Sequence, residues 1–325
     1  MLKKLLILAV FAALLVAAAV GYSLYVYRAP IVLLAPKEVL IEKGTGAKAL
    51  LTQLHAEGLI PSPKLMLLPL YLFKDHTALK AGEYRFEGEM SPQQILAKIV
   101  RGEVILRKVT IPEGWNVRQV RALLNAEQAL SGELPAEITE GSLLPNTYHF
   151  TRGEPRAGLI AQMQQAMQET MQKEWPQRQA NLPFTTIAEA LVLASIVERE
   201  TGIPHERPQV AAVFVNRLRL GMPLQADPTV AYGVMQERGL AEYKVTAADI
   251  DRDTPWNTYT RGGLPPTPIA NPGREAIAAA LNPPDFKALY FVATGDGGHY
   301  FAETYSEHQA NIRKYRAQLR LQRAE

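Results

Sequence analysis

Apolar residues are concentrated at the start of the chain. Residues 5–27 are 23 uncharged, mostly apolar positions, and a helix of that length extends roughly 35 Å, which exceeds the ~30 Å hydrocarbon layer of a bilayer. Lys3 and Lys4 precede this stretch, and by the positive-inside rule they favour a cytoplasmic N-terminus. We therefore predict a transmembrane anchor over residues 1–28, with the rest of the chain on the far side of the membrane.

A cleaved signal peptide is the alternative interpretation of the same segment. Ala17-Ala18-Ala19 offers a cleavage site of the A-x-A type. The apolar stretch continues past that site to Val26, which is longer than the core of a signal peptide usually runs. An uncleaved single-pass anchor is therefore favoured.

Short elements of both types follow the anchor. Residues 29–36 are typical of an extended linker. Periodicity and turn residues predict strands over 38–42, 82–86 and 104–111, and helices over 49–58, 61–73 and 91–102. Residues 37–112 are thus predicted to form a small α+β module, and a module of this size between an anchor and a larger domain more often binds or positions than catalyses.

The rest of the chain, residues 113–325, is predicted to form a mainly helical domain. A long helix is expected over about 158–175, where methionines at four-residue spacing indicate core packing rather than a binding face. Residues 289–293 and 299–301 predict a short β-hairpin around a glycine-rich turn. The fold class is therefore α+β.

Charge and composition narrow the chemistry. The three basic residues of the anchor, Lys3, Lys4 and Arg28, account for the whole excess of 35 Lys and Arg over 32 Asp and Glu. The neutral body lacks the basic surface that nucleic-acid binding requires. The chain has no cysteine and only 6 scattered histidines, so we expect no disulfide, no thiolate nucleophile, no metal site and no cofactor.

One predicted helix ends in two glutamates. Thr186 and Glu189 form a capping box at its start, and Pro204 forbids its continuation, so Glu198 and Glu200 lie in the last turn. The negative end of the helix dipole disfavours the charged form of a carboxylate, and burial disfavours it further. Such a carboxyl stays protonated at neutral pH and suits a general acid.

Periodicity does not choose between the two glutamates. Residues 198 and 200 point roughly 200° apart, so only one of them faces a given cleft, and both faces of the helix are apolar. The alternative is a structural role for each, solvated or paired with Arg199 or Arg207.

Polar residues that suit sugars follow downstream. Asp227 precedes Pro228 and is as readily a helix N-cap as a catalytic group. Residues 257–259, Asn-Thr-Tyr, and residues 263–266, Gly-Leu-Pro-Pro, form a loop of the kind that carries function on a helical scaffold.

Several motifs in a fixed order resemble one family over nearly the whole chain. They are Ile111-Pro-Glu-Gly114, Glu140-Gly-Ser-Leu-Leu-Pro-Asn-Thr-Tyr148, Ala194-Ser-Ile-Val-Glu-Arg-Glu-Thr201, Leu224-Gln-Ala-Asp-Pro-Thr229, Asn257-Thr-Tyr259 with Gly263-Leu-Pro-Pro266, and Gly298-His299. With the anchor, they make the chain similar to the YceG-like (MltG-type) family of membrane-anchored endolytic murein transglycosylases.

The resemblance implies roles for individual residues. The second glutamate of the Ile-Val-Glu-x-Glu motif is the catalytic acid of that family, which here is Glu200. The module at 37–112 would be LysM-like, and the domain at 113–325 would be a lysozyme-like catalytic domain. The residues expected to contact substrate are Gln225, Asp227, Asn257, Tyr259 and Tyr148.

The reaction that the resemblance implies needs one carboxyl. Glu200 would protonate the oxygen between MurNAc and GlcNAc in nascent peptidoglycan, then accept the proton of the MurNAc C6 hydroxyl, leaving 1,6-anhydroMurNAc ends. Such a carbon–oxygen lyase would terminate growing glycan strands beside the peptidoglycan synthases. The implied location is the inner membrane, with the catalytic domain in the periplasm.

Two other functions remain open from the residues. A lysozyme-like muramidase would use Asp227 as a second carboxylate and would release hydrated reducing ends. A non-catalytic peptidoglycan-binding scaffold would leave Glu200 as a surface charge, and its Glu200→Gln variant would behave as the unaltered protein does.

Overall fold

The computed structural model describes residues 2–73 and 78–322. Within these residues the chain is mixed α+β and mostly helical, with its strands in two-stranded sheets. It divides into two compact units. One contains the residues up to Arg107 together with His149–Glu154, and the other contains Lys108–Tyr148 together with the residues from Pro155 onward.

The first unit begins with the predicted anchor helix, α1, at Leu2–Arg28. Its length and composition are sufficient to cross a membrane. Almost all of its side chains are exposed, as expected for a helix that meets lipid, and only Ser23 and Tyr27 near its end are buried. The structure therefore agrees with the prediction of a membrane-spanning helix at the N-terminus.

The rest of the first unit consists of three helices and a two-stranded antiparallel sheet. Its elements are β1 (Ile31–Ile41), α2 (Ala47–Ala56), α3 (Pro63–Leu72), β2 (Gly82–Met90) and α4 (Pro92–Arg101). The predicted start of α4 is confirmed, since Ser91 and Gln94 form a reciprocal capping box. The core of the unit includes Leu50, Leu54, Met66, Leu70, Tyr84, Phe86, Ile95 and Ile99.

The predicted linker is wrong in part. Residues 31–33 belong to β1, where Ile31 lies opposite Met90 in an antiparallel pair with β2. The register shifts between Leu33 and Lys37, and Pro36 lies in this irregular stretch, where a residue without an N–H does not interrupt the ladder. The prolines at positions 30 and 36 indicated a linker. The residues that pair with 31–33 are 88–90, too far along the chain for a local pattern to reveal the pairing.

The second unit is built around a buried helix. Its elements are β3 (Arg107–Thr110, at the boundary), α5 (Val117–Ala126), β4 (Thr147–Phe150, also at the boundary), α6 (Arg156–Glu174), α7 (Ile187–Glu200), α8 (Arg207–Arg219), α9 (Asp227–Arg238), α10 (Arg274–Leu281), β5 (Tyr290–Ala293), β6 (His299–Ala302) and α11 (Tyr305–Gln322). The strand predicted over 104–111 is shorter, because a turn at Gly102–Val104 precedes it.

α7 lies in the core of this unit, and nearly every side chain from Ala190 to Glu198 is buried. It packs against α8, α9 and α10. The capping box predicted at its start is confirmed, because Thr186 accepts from the Glu189 amide while the Glu189 side chain accepts from the Thr186 amide. The helix ends at Glu200, where Thr201 turns to an extended conformation.

Two further predictions for this unit are confirmed. The methionines of α6, Met163, Met167 and Met171, are all buried. The predicted hairpin is present as β5 and β6, which pair in antiparallel register with Tyr290 opposite Ala302.

Candidate active site

The two glutamates at the end of α7 have different surroundings. Glu198 is buried, accepts a hydrogen bond from Arg207 at 2.9 Å and another from the Gly273 amide at 2.8 Å. The Arg207 guanidinium also contacts Glu113 and Glu275. Burial raises the pKa of Glu198 despite these donors. The Glu198 carboxylate therefore links α7 to α8 and to the start of α10.

Glu200 has no such partner. No hydrogen bond or ion pair from residues 2–73 or 78–322 reaches its carboxylate, and its side chain stays partly exposed. Burial, together with the nearby Asp227 carboxylate, raises the pKa of Glu200 to about 8, and Arg217 opposes this shift. A carboxyl of this kind is protonated at neutral pH and free to donate its proton.

Asp227 lies beside Glu200 and is held by a tyrosine. The Tyr259 hydroxyl donates to Asp227 Oδ1 at 2.6 Å, and the Asp227 side chain remains exposed. Of the two interpretations left open for Asp227, the N-cap one is wrong, since Ala226 occupies the cap position of α9. The carboxylate is instead directed toward the residues around Glu200.

Arg217 was missed by the sequence reasoning. It lies on the buried face of α8, and its guanidinium donates to the carbonyls of Leu289 at 2.7 Å and Leu224 at 2.8 Å. Its centre lies 5.3 Å from the Tyr290 ring. The sequence did contain a signal that Arg217 is buried. Arg217 follows Phe214 by three residues and so lies on an otherwise apolar face of the helix.

Backbone contacts fix the segment that carries Gln225 and Asp227. Gln225 has φ +52°, a left-handed conformation, and its side chain is exposed. The backbone N–H of Gln225 donates to the Thr258 carbonyl at 3.1 Å, and the backbone N–H of Ala226 donates to Thr258 Oγ1 at 3.0 Å. The two predicted loops, 224–229 and 257–259, are therefore joined directly.

Asn257 and Tyr148 are not free to bind a ligand in this structure. Asn257 is fully buried, its amide nitrogen donates to the carbonyls of Ile250 and Arg252, and its oxygen accepts from the Tyr259 amide. The buried Tyr148 hydroxyl donates to the Leu144 carbonyl at 2.6 Å. Asn257 thus positions Tyr259, and the direct sugar contacts expected of both residues are not supported by these geometries.

The turn that follows Glu200 is held by a histidine and a carboxylate. His299 donates from its backbone amide to Glu206 at 3.0 Å, and its Nδ1 lies 2.7 Å from the other Glu206 oxygen. Thr201 Oγ1 lies 3.5 Å from the same oxygen. The hairpin β5–β6 is in this way joined to the residues just after the end of α7.

A second carboxyl with a raised pKa lies elsewhere in the unit. Glu140 accepts from the Val117 amide at 2.9 Å and from the Tyr232 hydroxyl at 3.2 Å, and burial raises its pKa to about 7. Both of its oxygens have protein donors, so Glu140 is placed to join segments of the chain. Within residues 2–73 and 78–322, no group of three His, Cys, Asp or Glu side chains is arranged to hold a metal ion.

Known proteins resemble this chain in sequence and in fold. An endolytic murein transglycosylase of Bacillus subtilis strain 168 is 29% identical over 85% of this chain and 83% of the relative. One of Streptococcus pneumoniae strain D39 is 29% identical over 85% of this chain, which spans only 57% of that relative. The 2.6 Å crystal structure of a yceG-like protein from Listeria monocytogenes superposes with a TM-score of 0.52 at 29% identity, covering 85% of this chain and 99% of the other.

The match to a family model includes both units and the glutamate at the end of α7. The model described as the YceG-like family aligns with residues 39–314, a range that begins within β1 and ends within α11. Because this range is most of the chain and includes Glu200, Asp227 and Tyr259, the chain belongs to the YceG-like family.

Proposed function

We propose that this protein is a peptidoglycan lytic transglycosylase, a carbon–oxygen lyase that cuts MurNAc-β-1,4-GlcNAc bonds within nascent glycan strands. The observation that carries the proposal is the state of Glu200 at the end of a buried helix: its carboxyl has no hydrogen-bond or ion-pair partner among residues 2–73 and 78–322, and its pKa is raised to about 8. The names of the Bacillus and Streptococcus relatives support the substrate.

The reaction begins with proton transfer from Glu200. Its protonated carboxyl donates to the glycosidic oxygen as the bond to the MurNAc C1 carbon breaks, and GlcNAc leaves as an alcohol. Positive charge develops at C1 and the ring oxygen of MurNAc. The exposed Asp227 carboxylate near Glu200 would stabilise that charge, and the Tyr259 hydroxyl would keep the carboxylate in position.

The second step returns the proton. The Glu200 carboxylate accepts the proton of the MurNAc C6 hydroxyl while the C6 oxygen forms a bond to C1, which closes a 1,6-anhydro ring without water. Arg217 would stabilise the transient carboxylate because its charge favours the ionised form of Glu200. The carboxyl is protonated again at the end, so one residue serves as acid and then as base.

The rest of the chain would place this chemistry in the cell. We assign residues 1–28 to the cytoplasmic tip and anchor in the inner membrane, 37–112 to a LysM-like module that binds or positions peptidoglycan, and 113–325 to a lysozyme-like catalytic domain in the periplasm. The apolar α1 supports the anchor. Cleavage of nascent strands at the membrane would terminate their elongation beside the synthases.

A muramidase is the second candidate, because Asp227 lies close enough to Glu200 to raise the pKa of the Glu200 carboxyl. A hydrolase of that kind would deliver water to C1 and leave a reducing end. The two reactions differ by one water in the mass of the product.

Product analysis tests both reactions. Residues 29–325 and their Glu200→Gln variant are incubated with uncrosslinked glycan strands, and the released ends are identified by mass spectrometry. Glu169→Gln on α6, an exposed glutamate of the same domain, serves as the matched control. Anhydro ends from the unaltered protein and the control, lost in Glu200→Gln, are the expected result.

Other outcomes decide against the proposal. Hydrated reducing ends would identify a muramidase, and unchanged product from Glu200→Gln would remove Glu200 from the reaction. Strand binding without any cleavage by the unaltered protein would favour a peptidoglycan-binding scaffold.

A further inference from the structure

α3 is apolar on its exposed face as well as on its buried face. Met66 and Leu70 are buried in the core of the first unit. On the other side, Leu68, Tyr71 and Leu72 are 41%, 50% and 58% exposed, and their spacing places them on one side of the helix. An exposed group of large apolar side chains on a helix marks a surface that meets another apolar phase. These three residues are called the α3 face below.

The helix that carries this face packs against the end of α1. The Ser23 hydroxyl of α1 donates to the Leu65 carbonyl of α3 at 2.6 Å. One turn later, Tyr27 stacks on Phe73 with ring centroids 5.7 Å apart and an interplanar angle of 16°. Ser23 and Tyr27 are the buried residues of α1. The contact with α3, together with one with α4, lies at this shielded end of α1.

That part of α1 lies at the level of the lipid headgroups. Twenty residues counted from Leu5 extend about 30 Å, the thickness of the hydrocarbon layer, and end at Leu24. Tyr22 and Tyr25, 59% and 71% exposed, lie at this depth, where tyrosine is enriched in membrane proteins. The residues that contact α3 are thus at the membrane surface.

Both ends of α3 contact α1 near that surface. Leu65, at the start of α3, accepts a hydrogen bond from Ser23, and Phe73, which follows the last turn of α3, stacks on Tyr27. Ser23 and Tyr27 are about 6 Å apart along α1. Both ends of α3 therefore contact α1 close to the depth of the headgroups.

We propose that α3 is an interfacial membrane helix whose exposed α3 face inserts into the boundary between headgroups and acyl chains of the bilayer that α1 crosses. The partner is the lipid itself, because the face is continuous with the exit of a membrane-spanning helix. Lys64 lies exposed at the start of α3, where it can reach lipid phosphates. The first unit would then be held flat on the membrane by two helices rather than tethered by one.

The absence of cysteine from the sequence makes a direct test possible. The full chain is reconstituted in vesicles of phosphatidylcholine and phosphatidylglycerol with a single cysteine, Leu72→Cys or Leu68→Cys, labelled with the fluorophore NBD. Glu42→Cys is the matched control, because this exposed residue follows the far end of β1, about 30 Å along the strand from its start near α1. Quenching is measured with aqueous iodide and with lipids spin-labelled near the headgroup.

Membrane insertion predicts opposite behaviour at the two places. The labels at 68 and 72 should emit at shorter wavelength, be several-fold less sensitive to iodide than the label at 42, and be quenched by spin-labelled lipid. Equal iodide access at 42, 68 and 72 would overturn the proposal. Protection from iodide without quenching by lipid would also overturn it, because it would mean that a second protein surface covers the face. Circular dichroism of each labelled chain verifies that the fold is kept.

Discussion

The last turn of α7 carries two glutamates, Glu198 and Glu200, which are two positions apart in the sequence but have opposite surroundings. Glu198 is buried with an arginine and a backbone amide as donors, whereas Glu200 has no donor within the described chain and lies near another carboxylate. Burial raises the pKa of both. The comparison shows that a buried carboxyl with hydrogen-bond donors joins segments of the fold, whereas one without donors in the described chain is the candidate for proton transfer.

Breaking the complete pair should have the largest effect on stability. Glu198→Ala leaves the buried Arg207 without its buried partner, and removal of one member of a buried ion pair costs about 3–5 kcal/mol. We expect a large loss in the free energy of unfolding measured with urea. Glu200→Gln, measured alongside, should not be destabilised, because it removes no pair. An equal loss in both variants would contradict the distinction between the two glutamates.

Replacing Arg217 tests the proposed role of Glu200 through the pH dependence of activity. As the proposed general acid, Glu200 can donate only when protonated, so activity should fall as pH rises through about 8. Because Arg217 lowers the pKa of Glu200, Arg217→Met should move this fall to higher pH and lower the maximum rate by about 10–100-fold. The measurement is the pH profile of anhydro-end release.

A purely structural role of Arg217 predicts a different result. In that case Arg217→Met would lower the rate by the same factor at every pH, with no movement of the alkaline limb. Melting temperatures of both proteins across the same pH range serve as the control for unfolding.

Glu140 should contribute, together with Glu200, to the pH dependence of stability. Its pKa is raised to about 7 in the folded protein, so the folded state holds a proton that the unfolded state has lost, and stability falls as pH rises from about 4.5 to 7. The loss is at most about 3 kcal/mol. Glu140→Gln should flatten the change in melting temperature between pH 4 and pH 8. An unchanged slope would show that Glu140 ionises normally.

The smallest effect is expected at Tyr259. Tyr259→Phe removes the hydroxyl that donates to Asp227 at 2.6 Å, at a cost to stability of about 1 kcal/mol or less at this partly exposed site. Activity should fall by a few-fold because Asp227 loses its orientation, while Asp227→Asn should cost more. A Tyr259→Phe variant more impaired than Asp227→Asn would contradict a positioning role for Tyr259.

Sequence patterns worked where the determining contacts are local. The capping box of Thr186 and Glu189 and the proline after α7 gave both ends of the helix, and methionine spacing gave the buried face of α6. They failed where a contact with a residue far away in the sequence determines the local structure. Residues 31–33 pair with a strand some 50 residues later, and Asp227 is oriented by Tyr259 rather than by the helix that it begins.

The sequence by itself determined the membrane helix, the position of the two glutamates in one helical turn and the motifs that carry the family resemblance. Only the tertiary structure decided which of the two glutamates is paired, because Arg207 and Gly273 come from other segments and donate to Glu198 but not to Glu200. It also decided that Asn257 faces inward and that Arg217 lies near Glu200. The physical reason is that helix ends depend on neighbouring residues, whereas the charge on a buried carboxyl depends on every group that folding brings near it.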